Sequence, residues 1–390
     1  MQAPDAPSAK DAPITGFCRR GITTLCAGRA PADALAIIER SCSLAGGAHR
    51  LAYCLALESL TRSEAPENAR IVRTLFVEVE RILARLWTLG QTARAAEEYT
   101  PFQEALEQRE LLLSALEETT GARMFWGVAL PGGARADLTL TPLREALEHF
   151  APTVETWRVA TSPDGPLGRV TTRIGQISRR RAEELGLHGL AACGAGLTLP
   201  TDLRQSAPYD GYQDVAIEWP DSSKGQTSET NQASGASKTT NNHNAANGGA
   251  KDTTGNGANG SASSSSGSGS NGTVGKRGDV ASRMRCAAAD IGQSVSIAQA
   301  CLDALGDEPE WENTSLQLRS GAGEATVEGP HGPVTIALTL GESGAIADLR
   351  LTTPCAATLN ALPALLTDRP LAEAPLILAS LDLCLECVDL

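Results

Sequence analysis

"ERSCSLAGGAHRLAYCLALE", residues 39–58, is the stretch on which the reading of this chain turns. A Glu-Arg pair leads to Cys42, a Gly46-Gly47 break follows, and beyond it apolar residues recur at helical spacing on either side of His49. Cys42 therefore lies near a helix junction. Three residues on, where a Cys-x-x-Cys pair would place its second sulfur, stands Ala45. The other half of the pattern lies at the far end of the sequence: "LDLCLECVDL", residues 381–390, carries an intact pair in Cys384 and Cys387. Spacing alone leaves both readings open, metal ligation or inert thiols for the pair, and ligand or small buried hydrophobe for Cys42.

The totals narrow the class. A chain of 390 residues can form one large domain or two ordinary ones. Its net charge of −13 argues against nucleic acid and anionic membrane surfaces as direct partners. Residues 1–16 are polar and proline-rich, so they read as a disordered tail and not as a secretory signal. A reducing, cytoplasmic setting is expected, where Cys-x-x-Cys serves metal or redox chemistry. No apolar run approaches the roughly 18 residues of a membrane span; "APLILASLDLCL" is short and carries Asp382. No direct membrane span is expected, and any membrane contact runs through partner subunits.

From 221 to 271 the composition collapses to Ser, Gly, Asn, Thr and Ala, as in "SGASKTTNNHNAANGG". With almost no apolar surface to bury, this insert cannot offset its ordering entropy and is expected to be disordered. Before it the chain reads as helical. A long amphipathic helix is expected from Pro66 to Leu89, with Arg70, Arg73, Glu78, Arg81 and Arg85 on a solvated face or against a partner. Thr100, Pro101 and Gln103 form the pattern of a capping box, opening a helix that Gly121 closes. After the insert, Asp279 should cap a helix ending at Gly306. "VTIALTL" and "IADLRL" alternate in twos around "GESG" and read as a β-hairpin, and a last helix is expected near Leu359 to Leu366. The fold class is α+β, mainly α. Cys18, Cys26, Cys54, Cys193, Cys286, Cys301 and Cys355 show no ligand spacing and read as packing residues, and Tyr209 and Tyr212 as structural.

Taken in order, eight segments resemble the large subunit of [NiFe]-hydrogenases. The energy-converting branch, which shares ancestry with the 49 kDa subunit of NADH-quinone oxidoreductase, is the most similar. The segments are "RRGITTLCAGR", the opening stretch, "ENARIVRTLFVEVERILARLWTLG", "ETTGARMFWGVALPGGARADL", "LGLHGLAACGAGLTLPTDLRQSAPYDGY", "GDVASRMRCAAADIGQSVSIAQACLD", "VEGPHGPV" and "LDLCLECVDL". They run colinearly from about residue 17 to 390, so residues 17–220 and 272–390 form one domain and the insert occupies a surface loop.

The resemblance implies a hydrogenase-large-subunit-like helical body with a small β element. It also implies a pocket in which four cysteines hold nickel and iron. Cys42, Cys384 and Cys387 fall on three of those metal positions, and Ala45 falls on the fourth, a bridging one. His49 becomes a polar neighbour or cofactor-binding group, and His331 takes the catalytic place of an arginine that overhangs the metals. Thr23 replaces a proton-passing glutamate and Leu383 replaces a proline. The implied cofactors are a Ni-Fe centre or quinone, with nicotinamide on the donor side of the NADH-quinone branch. The implied partners are a small iron–sulfur subunit and antiporter-like membrane subunits, on the inner face of the cell membrane. Three functions follow from this: an electron-transfer subunit without ordinary hydrogen turnover, an inactive scaffold, or a Cys3His zinc protein with His49 as fourth ligand.

Overall fold

The computed structural model describes residues 19–124, 126–197, 277–306 and 309–388. The tail 1–16, the insert 221–271, Cys18, Tyr209 and Tyr212 lie outside the described residues. The elements before the insert are α1 (Ile22–Cys26), α2 (Pro31–Glu39), α3 (Gly46–Thr61), α4 (Glu67–Ala95), α5 (Tyr99–Thr120), β1 (Ala129–Leu130), β2 (Gly133–Ala134), α6 (Thr141–Phe150), α7 (Thr153–Ala160), α8 (Pro166–Thr171), α9 (Arg179–Glu184) and α10 (Gly189–Gly194). Beyond it come α11 (Val280–Leu305), β3 (Gly321–Gly329), β4 (Gly332–Leu340), β5 (Ile346–Thr352), α12 (Cys355–Asn360), α13 (Leu362–Leu366) and α14 (Ala374–Ser380). Among the described residues no helix is long and apolar enough to cross a membrane.

Helix α4 is the axle. Its periodic apolar residues Val72, Leu75, Phe76, Val79, Ile82, Leu83, Leu86 and Leu89 are all buried, as the spacing requires, against α5 and α11. The opposite face corrects the sequence reading: Arg73, Glu78, Arg81 and Arg85 are buried too, and only Arg70 is half-exposed. The reason is that α3 and the β-sheet cover the polar side, so the charges close on partners inside the chain. Arg81, for example, donates to the carbonyls of Glu328 and Gly329 at 2.6 and 2.8 Å. Burying a guanidinium is tolerable only with such partners.

Three of the expected caps form and one does not. Asp279 accepts from the Ser282 N–H at 2.8 Å, and Gly306 ends α11 with φ 70°. Gly121 ends α5 at φ 76°, but the expected capping box does not form. The helix already starts at Tyr99 with Glu98 as N-cap and no side-chain cap, which puts Thr100 and Pro101 inside the first turn.

The expected hairpin is β4–β5, antiparallel with Ile336 opposite Leu351 and Leu338 opposite Leu349. A third strand, β3, adds to the other edge of β4 to give the order β3-β4-β5. Its sequence, "GAGEATVEG", is too glycine-rich and weakly alternating to announce itself. In the β3–β4 register Gly329 pairs with Gly332, so Pro330 and His331 are the two residues of the turn. Gly332 has φ 119°, and a Cβ there would lie 3.0 Å from the His188 Cβ, so the turn needs glycine. At the C-terminal end the expected helix divides into α12 and α13, and α14 leads into the cysteines.

The chain passes α10 and α11 side by side, and there Cys193 and Cys286 are joined in a disulfide with a Cα–Cα distance of 6.3 Å. These two are therefore crosslinked, not simple packing residues. Cys26, Cys54 and Cys301 are buried, as expected.

Candidate functional site: a buried cysteine–histidine pocket

The two ends of the sequence are fastened together by polar contacts around the loop between α2 and α3. Arg20, just ahead of α1, donates to the carbonyls of Arg40 (3.0 Å), Ser41 (2.5 Å) and Glu386 (3.0 Å). The Ser43 N–H donates to Glu386 Oε2 at 2.6 Å, and Thr353 Oγ1 donates to the Cys387 carbonyl at 2.7 Å. Gly46 lets α3 start against α2, because a Cβ there would stand 2.3 Å from the Glu39 carbonyl oxygen. The outcome is that Cys42 Sγ lies 3.5 Å from Cys384 Sγ across 342 positions of sequence.

Cys42, Ala45, Cys355, Cys384 and Cys387 form one buried cluster. Ala45 is 1% exposed, and its N–H donates to Cys42 Sγ at 3.1 Å, so the residue in the incomplete Cys-x-x-Cys contributes its backbone to the pocket and no sulfur. Hydrogen bonding from Cys387 and Cys42 lowers the Cys384 thiol well below its ordinary value. Its coupling to Cys384 raises Cys42, and its neighbours Cys355 and Cys384 raise Cys387.

His49 lies in the first turn of α3, fully enclosed, with Nε2 3.8 Å from Cys387 Sγ. Its Nδ1 is 2.5 Å from Ser41 Oγ, and that hydroxyl gives its own proton to the Ile38 carbonyl at 2.6 Å. Ser41 must therefore accept from Nδ1–H, an assignment made by the hydrogen-bond network, which leaves Nε2 with a bare lone pair. Burial pushes His49 down to about 4, so the ring is neutral near pH 7.

His331, from the β3–β4 turn, enters from the opposite side. Nδ1 lies 3.0 Å from Asp382 Oδ2, and the buried Nε2 has no hydrogen-bond partner. Cys42, His331 and Cys384 hold their ligand atoms within 4.8 Å of one another, and so do Cys42, His49 and Cys387. Burial works against the charged ring, yet Asp382 and the neighbouring thiols hold His331 well above the usual histidine range. Asp382, residing at φ 55°, also accepts from Arg85 (2.5 Å) and Thr88 (2.6 Å), and Arg85 continues to Asp290 (2.6 Å) and the Pro330 carbonyl. This network holds the turn that leads through Leu383 to Cys384.

All five candidate residues therefore converge: Cys42, His49, His331, Cys384 and Cys387. The sequence missed Cys355, Asp382, Arg85, Ser41 and Arg20. Asp382 was signalled by its place two residues before Cys384, and Arg85 by its helical spacing from Arg81 and Glu78. Cys355 carried no signal.

Comparison with known proteins agrees with the fold. The family model described as nickel-dependent hydrogenase matches residues 20–86, and the one described as the respiratory-chain NADH dehydrogenase 49 Kd subunit matches residues 97–229. NADH dehydrogenase [ubiquinone] iron-sulfur protein 2 of Arabidopsis thaliana is 32% identical over 55% of this chain and 54% of its own length. The NADH-ubiquinone oxidoreductase 49 kDa subunit of Neurospora crassa is 32% identical over 53% of this chain and 44% of its own length. A subunit of the NADH-quinone oxidoreductase of Thermosipho melanesiensis is 29% identical over 55% of this chain and 59% of its own length. The chain thus spans about half the length of the curated relatives it matches. A solved structure of a membrane-bound sulfane sulfur reductase, described as an archaeal respiratory membrane complex, superposes with a TM-score of 0.75 at 22% identity. That match covers 96% of this chain and 89% of the solved one, and it shows the same fold. In two successive segments the chain is thus similar to nickel-dependent hydrogenases and to the 49 kDa subunit of NADH-quinone oxidoreductase.

Proposed function

We propose that this protein is the large subunit of a membrane-associated electron-transfer complex of the hydrogenase and NADH-quinone oxidoreductase type, and that it does not turn over hydrogen. Ala45 is the observation that carries the second half. A Ni-Fe pair needs two bridging sulfurs, and the position facing Cys42 offers a methyl group and a backbone N–H within a fully packed pocket. The donor set does not fit that cofactor.

Quinone is the electron acceptor this reading favours, because the curated relatives carry names of quinone and ubiquinone oxidoreductases. A small iron–sulfur subunit would supply the electrons, and antiporter-like membrane subunits would hold the chain at the inner face of the cell membrane. A net charge of −13 disfavours direct contact with anionic lipid and so supports attachment through protein partners. A purely structural version of the same reading, with the chain as a scaffold between iron–sulfur and membrane subunits, is favoured by the closure of the pocket on itself. Isolation of the tagged chain from native membranes in mild detergent tests the assignment. The expected result is co-purification with iron–sulfur and polytopic membrane subunits, and no dye-linked hydrogen uptake. A chain found alone in the soluble fraction, or one that oxidises hydrogen, overturns it.

A further inference from the structure

One covalent crosslink lies outside the cysteine–histidine cluster and serves neither end of the chain. Cys193 in α10 and Cys286 in the second turn of α11 are joined across 93 positions of sequence. The two halves differ in exposure. Cys286 is 6% exposed and belongs to the main core, whereas Cys193 is half-buried and packs only at the edge of that core. Among the described residues Cys193 is the only cysteine that is not buried. Thiol–disulfide exchange requires a thiolate to reach one sulfur from outside, so access decides where attack falls. We infer that Cys193–Cys286 is an exchangeable bond, opened by a solution thiolate of the glutathione class at Cys193 and closed again without change of fold.

The exchange balances among the thiols. A glutathione thiolate forms a bond to Cys193 Sγ, the bond between the two protein sulfurs breaks, and its electron pair leaves on Cys286, which takes a proton from water. A second glutathione thiolate attacks the glutathione sulfur of the mixed disulfide, and Cys193 leaves as a thiolate and is protonated in turn. Two glutathione thiols are oxidised to their disulfide, and the protein disulfide is reduced to two thiols. The same steps in reverse close the bond, with the Cys286 thiolate displacing glutathione from Cys193. Two features let the chain stay folded when the bond is open. First, the joint between α10 and α11 is held by other contacts. The Gly278 N–H donates to the Gly194 carbonyl at 2.9 Å. Buried Arg283 donates from Nη1 to the carbonyls of Gly278 (2.8 Å) and Gly175 (3.2 Å), and from Nε to Ser380 Oγ at 2.9 Å. Gly194 packs so closely on that arginine that a Cβ there would lie 2.7 Å from its Cγ. Second, the other described cysteines are buried, so an opened Cys193 returns to Cys286 and not to a wrong partner. On chain-entropy grounds a crosslink over 93 positions lowers the unfolding equilibrium by roughly three orders of magnitude. The thiol balance of the surroundings would therefore set the stability of a chain whose fold is the same in both states.

Incubation of the full-length chain in glutathione buffers of graded reduced-to-oxidised ratio tests it, followed by acid quenching, alkylation and peptide mass spectrometry. The expected result is reversible loss and return of the Cys193–Cys286 linked peptide, with glutathione found on Cys193 and none on Cys286. Cys286→Ser removes the thiolate that displaces glutathione, so the adduct on Cys193 should persist in oxidised buffer. Cys193→Ser should leave Cys286 unmodified until the chain is unfolded in urea. Circular dichroism of the wild type should be unchanged on opening, while the unfolding equilibrium in urea rises by roughly three orders of magnitude. A linked peptide that opens only in denaturant, or a glutathione adduct on Cys286 of the folded chain, overturns the inference. So does a bond that stays open in oxidised glutathione, or loss of the native spectrum when it opens. The wild-type titration alone decides the matter if either variant does not fold. Every readout is of this chain's own thiols, so failure to find partner subunits and failure of the exchange are read separately.

Discussion

Two buried polar regions meet along α4, and they are finished in different ways. On the side facing α3 and β1–β2, Arg73 reaches both oxygens of Glu58 at 2.5 and 3.1 Å and the carbonyls of Leu130 and Gly133. Arg85 likewise directs its N–H groups to Asp290, Asp382 and the Pro330 carbonyl. In the cysteine pocket, by contrast, thiols lie chiefly against thiols, and His331 Nε2 is left without a partner. Arg73 and Arg85 are closed on partners inside the chain, whereas His331 in the pocket keeps one ring nitrogen in reserve.

The largest test of this contrast is Arg85→Met. It removes a shared partner of Asp290 and Asp382 and so should cost about 3–5 kcal/mol, the scale for breaking a buried ion pair from one side. Urea unfolding monitored by circular dichroism reads this, and a loss below about 1 kcal/mol would break the comparison. Next in size is a pH effect at Glu80, whose carboxylate accepts from the Gly47 and Ala48 N–H groups at the start of α3. Burial raises Glu80 to about 7 from an ordinary value of 4.5, so the folded chain binds its proton more tightly than the unfolded one. That contribution is fully present below pH 4.5 and is lost as pH rises through 7. Between those values the stability of the wild type relative to Glu80→Gln should fall by roughly 3 kcal/mol. A difference that is flat with pH would show that the carboxyl is not held in this way.

Cys42→Ala sharpens the same comparison from the pocket side. In chelator-treated protein it should cost only about 1–2 kcal/mol, since it leaves a small void and no stranded charge. A cost matching that of Arg85→Met would mean that the pocket, too, is part of the frame. The smallest effect is expected for Asp279→Ala, about 1 kcal/mol, from loss of the cap that accepts from the Ser282 N–H. Thermal unfolding with matched controls resolves it.

Local signals explain what the sequence made legible. The period of three and four in α4, the Asp279 and Gly306 caps, and the alternation of β4 and β5 each depend on neighbours in sequence, and each appears in the structure. β3 was hidden because its glycines dilute the alternation, and its pairing with β4 is settled only by the Pro330-His331 turn. The burial of the α4 charges was hidden for a different reason: amphipathic periodicity tells which face is apolar, but not that a sheet will cover the polar face. The convergence of Cys42, His49, His331, Cys384 and Cys387 was legible only through resemblance to a family, since the sulfurs of Cys42 and Cys384 are 342 positions apart. Cys355 entered the pocket unannounced because a lone cysteine at a helix start has no spacing to betray it.

X-ray absorption at the nickel, iron and zinc edges of the complex isolated anaerobically from its native membrane tests the central claim most directly. The account predicts iron from the iron–sulfur partner and no nickel in stoichiometric amount, because Ala45 offers no sulfur at its place in the pocket. Nickel in stoichiometric amount would contradict it.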